Sequence, residues 1–149
     1  MNLKLIPVTN ENRAAALSLS VGHGQEHFIE TVQECLEEAD RNSDWEPMCI
    51  CDGDTIVGFA MFGYIRIPGV NQVWFDRFLI DQRHQHMGYG RKSVELVIDH
   101  LHSEFPGMDI RLSVYEDNTV AINLYESFGF KVNGEYDING ETVMILEAR

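Results

Sequence analysis

The chain has 149 residues, 44% of them hydrophobic and 23% charged, which fits one globular domain (residues 1–149) with a core of its own. Its formal net charge of −13 disfavours nucleic acid and anionic membranes as partners, because both are bound by clustered Lys and Arg, and it favours cationic ligands. No apolar window reaches the roughly 18 residues of a membrane helix and no signal-peptide pattern opens the chain, so a cytoplasmic location is expected.

The residue pattern predicts strands and helices in mixed order along the chain. Strands are predicted at 2–8, 47–51, 56–67, 73–80, 110–115, 130–136 and 142–146, and helices at 10–20, 24–41, 88–103 and 119–128. The helix at 24–41 rests on apolar residues at helical spacing, from Phe28 to Ala39, with an acidic stripe from Glu26 to Glu37 opposite them. This order predicts a mixed α/β sheet with a parallel crossover around the helix at 88–103, and ligands of such sheets bind where strands end.

Cysteine and histidine usage predicts neither disulfides nor a metal site. The three cysteines are an odd number, and Cys35, Cys49 and Cys51 are interpreted as small core residues in a reducing compartment. His23 and His27 stand four residues apart, but no third ligand is evident, so no metal is expected there.

The most informative segment is the glycine turn, residues 85–90, which contains Gln85, Gly88 and Gly90 between an apolar strand and a helix. Glycines let the backbone approach a ligand closely, and the unpaired amides of a helix's first turn attract an anion. The backbone amides from Met87 to Arg91 are therefore predicted to hold a phosphate group. Two glycines also form ordinary turns, so this signal needs support from elsewhere in the chain.

That support comes from Asn118 and a helix ending in Leu124, Tyr125, Gly129 and Phe130. Together with the glycine turn, this motif resembles the GNAT superfamily of N-acetyltransferases over essentially the whole chain. The glycine turn meets the cofactor motif of that family, Gln/Arg-x-x-Gly-x-Gly/Ala, although many relatives carry Gly in place of the His that follows Gln85. The resemblance implies a single GNAT domain with a mixed, mostly antiparallel sheet of about 6–7 strands, about four helices, and acetyl-CoA as cosubstrate.

Segments beginning at Asn12, Gln25, Val73 and Asn133 are more closely similar to bacterial spermine/spermidine (diamine) N-acetyltransferases, which implies a polyamine or diamine acceptor. The cofactor-binding residues expected on this basis are Phe78, Leu79, Ile80, Gln85, His86, Met87, Gly88, Tyr89, Gly90, Arg91, Asn118 and Asn123. The expected acceptor-binding residues are Gln25, Glu26, Glu30 and Asp76. Relatives are often dimers, so a homodimer is a candidate assembly.

Acetyl transfer to an amine needs a proton donor for the departing thiolate and a base for the acceptor ammonium. A thiol has a pKa of about 8.5 and a phenol of about 10, so a phenol can supply the proton, and the resemblance places Tyr125 for this role. Asp76 is the candidate base, acting through water, because regular alternation puts it on an apolar strand face with Trp74 and Phe78. The alternatives are that Asp76 pairs structurally with a cation, such as Arg77 after a bulge, and that Tyr125 is a core aromatic residue.

Two other functions stay open at this point. The first is acetylation of a different amine, such as an amino acid, an aminoglycoside or a peptide N-terminus. The second is a non-catalytic protein that senses coenzyme A or polyamines. The presence of both Tyr125 and Asp76 favours catalysis over sensing.

Overall fold

A computed structural model describes residues 1–149, except for the side chain of His27. The strands are β1 (Leu3–Pro7), β2 (Trp45–Asp52), β3 (Thr55–Ile67), β4 (Val70–Ile80), β5 (Ile110–Val114), β6 (Lys131–Tyr136) and β7 (Thr142–Leu146). The helices are α1 (Arg13–Leu17), α2 (Val32–Arg41), α3 (Tyr89–Glu104) and α4 (Thr119–Ser127), and short 3-10 turns lie at Glu26–Phe28 and Gln82–His84. None of these helices is long and apolar enough to cross a membrane.

The strands form one seven-stranded sheet in the order β1-β2-β3-β4-β5-β7-β6. Every neighbouring pair is antiparallel except β4 and β5, which are parallel and are joined through α3. The predicted α/β class, the mostly antiparallel sheet and the parallel crossover are therefore confirmed. The crossover matters for function because it brings the glycine turn to the end of β4.

The helices pack on the sheet through two separate hydrophobic clusters. The larger cluster includes α3 and α4, and the smaller includes α1 and α2. Val97 and Leu101 of α3 and Tyr125 of α4 belong to the larger cluster. The smaller cluster combines α1 and α2 with Phe59 and Met61 of β3. The three cysteines are free and lie in this smaller cluster, as predicted, where burial raises the pKa of the Cys35 thiol to about 12.

The predicted helix at 24–41 is wrong in its first half. The chain forms a 3-10 turn at Glu26–Phe28, Ile29 is extended, and α2 begins only at Val32. The reason is a capping box, in which the Thr31 hydroxyl accepts from the Glu34 amide while the Glu34 carboxylate accepts from the Thr31 amide. The acidic stripe is consequently split, and the residues before Thr31 form a loop beside β4.

Candidate active site

The strands β4 and β5 diverge and leave a cavity between them. They pair only at Val73 with Ile110 and at Trp74 with Arg111, so the rest of β4 keeps an edge that β5 does not cover. A cavity of about 410 Å³ occupies this opening, lined also by α4, the glycine turn and the loop at 21–30. The predicted site residues that line it are Gln25, Glu30, Asp76, Phe78, Leu79, Ile80, Gln85, His86, Gly90, Asn118 and Tyr125.

The other predicted site residues, Glu26, Met87, Gly88, Tyr89, Arg91 and Asn123, lie outside the lining of the cavity. The Tyr89 hydroxyl donates to Asp52 Oδ2 at 2.6 Å, and Arg91 donates to Ser127 Oγ at 2.8 Å. These side chains therefore support the surrounding structure. The prediction for the turn concerns its backbone amides, so the positions of these side chains do not test it.

The glycine turn has the shape expected of an anion cradle. Gly88 adopts a φ of 85° as the N-cap of α3, and no side chain caps the first turn of the helix. A Cβ placed on Gly90 would meet no atom within 4 Å, so open space borders these amides. His86 has a φ of 63°, a left-handed conformation that glycine adopts more easily. The turn thus fits a pyrophosphate, and the uncovered edge of β4 fits an amide-containing arm.

Asp76 sits on a β-bulge, so the prediction of regular alternation is wrong here. Where β4 pairs with β3, Phe75 and Arg77 lie opposite two consecutive residues of β3. Asp76, which stands between them, has no partner on β3. Its side chain is 13% exposed and lines the cavity, with Oδ2 at 2.7 Å from Arg77 Nη1. Burial, opposed by Arg77, raises the pKa of Asp76 to about 6. Asp76 therefore has both a cation partner and a pKa suited to proton transfer near neutral pH.

Arg77 is shared by three carboxylates. Its Nε lies 2.7 Å from Glu30 Oε2, and its Nη2 lies 3.5 Å from Glu38 Oε2, in addition to the contact with Asp76. The Arg77 side chain is only 15% exposed, so one guanidinium serves a largely desolvated acidic group. Three carboxylates against one cation give this group excess negative charge, and ionisation of Asp76 increases it.

Glu141 is a cavity residue that sequence reasoning missed. It is 9% exposed and lies immediately before β7. Burial and the nearby Asp137 raise its pKa, whereas a hydrogen bond with Ser113 lowers it. Because Glu141 follows an Asn-Gly turn, local pattern predicts that it is an exposed residue of a hairpin. It is also the last residue of the segment beginning at Asn133, one of those that carry the family resemblance.

Tyr125 lies where α4 meets β4. It is 9% exposed, and its ring packs edge-on against Phe75 and Phe130, with centroids 6.4 and 5.8 Å away. Burial raises the pKa of its hydroxyl above the ordinary phenol value, so Tyr125 stays protonated at neutral pH. A neutral phenol that lines the cavity can donate a proton but, being already protonated, cannot serve as a base there.

Asn118 has a structural task beside the cavity, since its Oδ1 caps α4 by accepting from the Ala121 amide at 3.4 Å. Among the described side chains, no three His, Cys, Asp or Glu residues are grouped as a metal site would require. The side chain of His27, half of the His23 and His27 pair, lies outside the described residues.

The sequence matches the acetyltransferase (GNAT) family over residues 13–130. It is 41% identical over 151 residues to the spermine/spermidine N(1)-acetyltransferase of Bacillus subtilis (strain 168), and 40% identical to the probable spermine N(1)-acetyltransferase of Bacillus subtilis subsp. natto (strain BEST195); each alignment covers 99% of both chains. The fold resembles that of spermidine N-acetyltransferase from Vibrio cholerae in complex with CoA and spermine, with a TM-score of 0.70, 20% identity, and coverage of 97% of this chain and 93% of that one.

The chain therefore belongs to the acetyltransferase (GNAT) family and is an acyltransferase. Its curated relatives match it over nearly their full length, so the shared region includes every element around the cavity. The likeness to the Vibrio cholerae protein, at 20% identity, supports the fold.

Proposed function

We propose that the protein transfers the acetyl group of acetyl-CoA to a primary amine of a polyamine or diamine, by direct attack within a ternary complex. The observation that carries this proposal is the composition of one cavity. A turn suited to a pyrophosphate stands at one end, and Glu30, Asp76 and Glu141 stand at the other with Arg77 as their nearby cation. The names of the Bacillus subtilis relatives support the choice of acceptor.

Acetyl-CoA would supply the acetyl group as a thioester. The amides of residues 87–91 would hold its pyrophosphate, because the first turn of α3 has no side-chain cap and Gly90 leaves space beside it. Phe78, Leu79 and Ile80 would hydrogen-bond its arm along the edge of β4 that β5 leaves uncovered. Asn118 lines the same cavity as the N-cap of α4.

The acceptor would place its cationic groups among the carboxylates. Glu30 is 33% exposed and uses one oxygen on Arg77, and Glu141 faces the same cavity from the start of β7. A second ammonium on the acceptor gains a carboxylate partner that a monoamine with an apolar tail cannot use. This geometry favours dications and longer polyamines.

Two residues would move the protons. Asp76, with a pKa of about 6, is ionised near neutral pH and accepts a proton from the attacking ammonium through water. Tyr125 donates its proton to the departing thiolate. Burial raises the pKa of the phenol, and burial of the departing thiol would raise the pKa of that thiol in the same way, so the transfer stays feasible.

The test is a panel of acceptors assayed by release of free coenzyme A thiol. Spermidine, spermine and diamines should give kcat/KM values about tenfold or more above alkyl monoamines of similar length, equivalent to about 1.4 kcal/mol of extra transition-state binding. Preference for an amino acid, an aminoglycoside or a peptide N-terminus would instead identify a different acceptor. Tight coenzyme A binding without thiol release from any amine would indicate a sensing protein.

A further inference from the structure

Two glutamines that the sequence assigns to different ligands are hydrogen-bonded to each other. Gln85, in the glycine turn, donates from Nε2 to Gln25 Oε1 at 3.0 Å and to the Ile80 carbonyl at 3.0 Å. Gln25, in the loop at 21–30, accepts from the Gly22 amide at 3.0 Å with the same oxygen. Both side chains are partly buried and line the cavity.

Backbone groups fix the orientation of both amides. The Ile80 carbonyl can only accept, so the end of Gln85 that faces it is the NH₂ group. The Gly22 amide can only donate, so the end of Gln25 that faces it is the oxygen. The two side chains therefore meet as donor and acceptor, and neither amide can flip without losing a backbone hydrogen bond.

The same two segments are joined at a second point. Buried Asp81 accepts from the Ser20 amide at 3.0 Å, and Gln82 donates to Ser20 from both its amide and its side chain. The start of the loop at 21–30 is thus tied to the end of β4. The Gln25–Gln85 contact extends this tie to the part of the loop just before Glu30.

We infer that the Gln85 side chain is a positioning residue that couples the glycine turn to the loop at 21–30, so that coenzyme A bound at the turn orders the loop that carries Glu30. The side chain already makes two protein hydrogen bonds, which leaves the contact with the phosphates to the backbone of the turn. A ligand that fixes the turn also fixes Gln85, and Gln85 in turn holds Gln25 and Gly22. This inference rests on the proposed binding of coenzyme A at the turn.

The experiment compares amide hydrogen exchange of the loop at 21–30 with and without saturating coenzyme A. In the wild-type protein, bound coenzyme A should slow exchange of these amides by about fivefold or more, the lower end of typical coupling between sites. In Gln85→Met and Gln25→Met, which keep side-chain volume and remove the bridge, most of this protection should disappear. Gln33→Met is the matched control, because the Gln33 amide bonds Glu37 on α2 away from the cavity.

Calorimetry in parallel establishes that each variant still binds coenzyme A. Equal protection in wild type and both bridge variants would overturn the inference, as would the absence of protection in saturated wild type. If the wild-type protein does not bind coenzyme A, both the proposed function and the inference are overturned. Protection that depends on the bridge, in a protein that acetylates no amine, would uphold the inference and reject the proposed acceptor reaction.

Discussion

At the end of the cavity formed by the glycine turn, the available groups are backbone amides and open space, whereas at the end near Asp76 they are charged side chains. The first end is built by one continuous segment, the passage from β4 into α3. The second is assembled from the loop at 21–30, the bulge in β4 and the start of β7. On the proposed function, this difference would separate the two substrates by charge. Backbone amides attract an anionic coenzyme and carboxylates repel it, whereas carboxylates attract a cationic acceptor.

The variant with the largest expected effect removes the proposed proton donor, Tyr125, which lines the same cavity. Tyr125→Phe keeps the ring packing against Phe75 and Phe130 and removes only the hydroxyl. We expect kcat to fall by about 10²–10⁴-fold, the range of general acid–base catalysis, while coenzyme A affinity persists. Steady-state kinetics and calorimetry measure the two quantities. Tyr64→Phe, stacked on Phe105 outside the cavity, is the control, and a wild-type kcat in Tyr125→Phe would reduce Tyr125 to a packing residue.

Asp76→Asn tests the end of the cavity near Asp76, the acceptor end. We expect activity to fall by about 10²-fold at neutral pH. Wild-type activity should rise as pH increases through about 6, because Asp76, the proposed base, would act in its deprotonated form. The variant should lack this rise and recover only at higher pH, where free amine accumulates. A pH–rate profile superimposable on that of the wild type would remove Asp76 from the mechanism.

The stability of Asp76→Asn should behave differently from its activity. Because folding raises the pKa of Asp76 from 3.8 to about 6, its contribution to stability is greatest below pH 3.8 and is lost as pH rises through 6. At pH 7 the ionised carboxylate does not stabilise the fold through this effect. Thermal unfolding at pH 7 should therefore show no loss in the variant, and a large loss would identify Asp76 as a structural ion-pair partner.

Gly90→Ala tests the end of the cavity formed by the glycine turn, where coenzyme A is proposed to bind. A Cβ at this position meets no protein atom within 4 Å, and alanine favours a helix over glycine by up to about 1 kcal/mol, so the free protein should be as stable or slightly more stable. The same Cβ occupies space proposed for the pyrophosphate, so coenzyme A should bind about tenfold more weakly. Calorimetry and thermal unfolding give the two values. Undiminished binding, especially in the bulkier Gly90→Glu, would show that the turn is not a phosphate cradle.

Glu141→Gln should have the smallest effect and should sharpen the contrast between the ends. Loss of one carboxylate partner should raise KM for spermidine several-fold, on the order of 1 kcal/mol, and leave KM for acetyl-CoA nearly unchanged. The increase should change little as salt is added, because Glu141 is only 9% exposed and salt screens buried charges much less than exposed ones. Glu95→Gln on the exposed face of α3 is the control. An equal rise in both KM values would contradict the division of the cavity.

The two ends also differ in how far the sequence predicts them. Gly88 and Gly90 mark the turn because a left-handed N-cap and close ligand approach require glycine, and their place between a strand and a helix can be identified from local pattern alone. The bulge at Asp76 has no such mark, since an extra residue leaves an ordinary strand sequence.

The start of α2 was predictable and was missed. Thr31 and Glu34 have the spacing of a capping box, which outweighs the apolar periodicity running through Phe28. Glu141 could not be placed in the same way, because its burial depends on Ser113 and on the chain returning beside β5. Long-range contacts of this kind define the acceptor end, so local pattern describes it poorly.

Arg77 gives the end of the cavity near Asp76 a counter-ion of its own. Its contacts with Asp76, Glu30 and Glu38 are made within the protein, so a fixed cation balances part of their negative charge and cations of the surrounding solution balance the rest. On the proposed function, an entering polyamine would compete with this fixed guanidinium as well as with the cations of the medium. The share of this competition that the guanidinium sets does not change with the ionic composition of the cell.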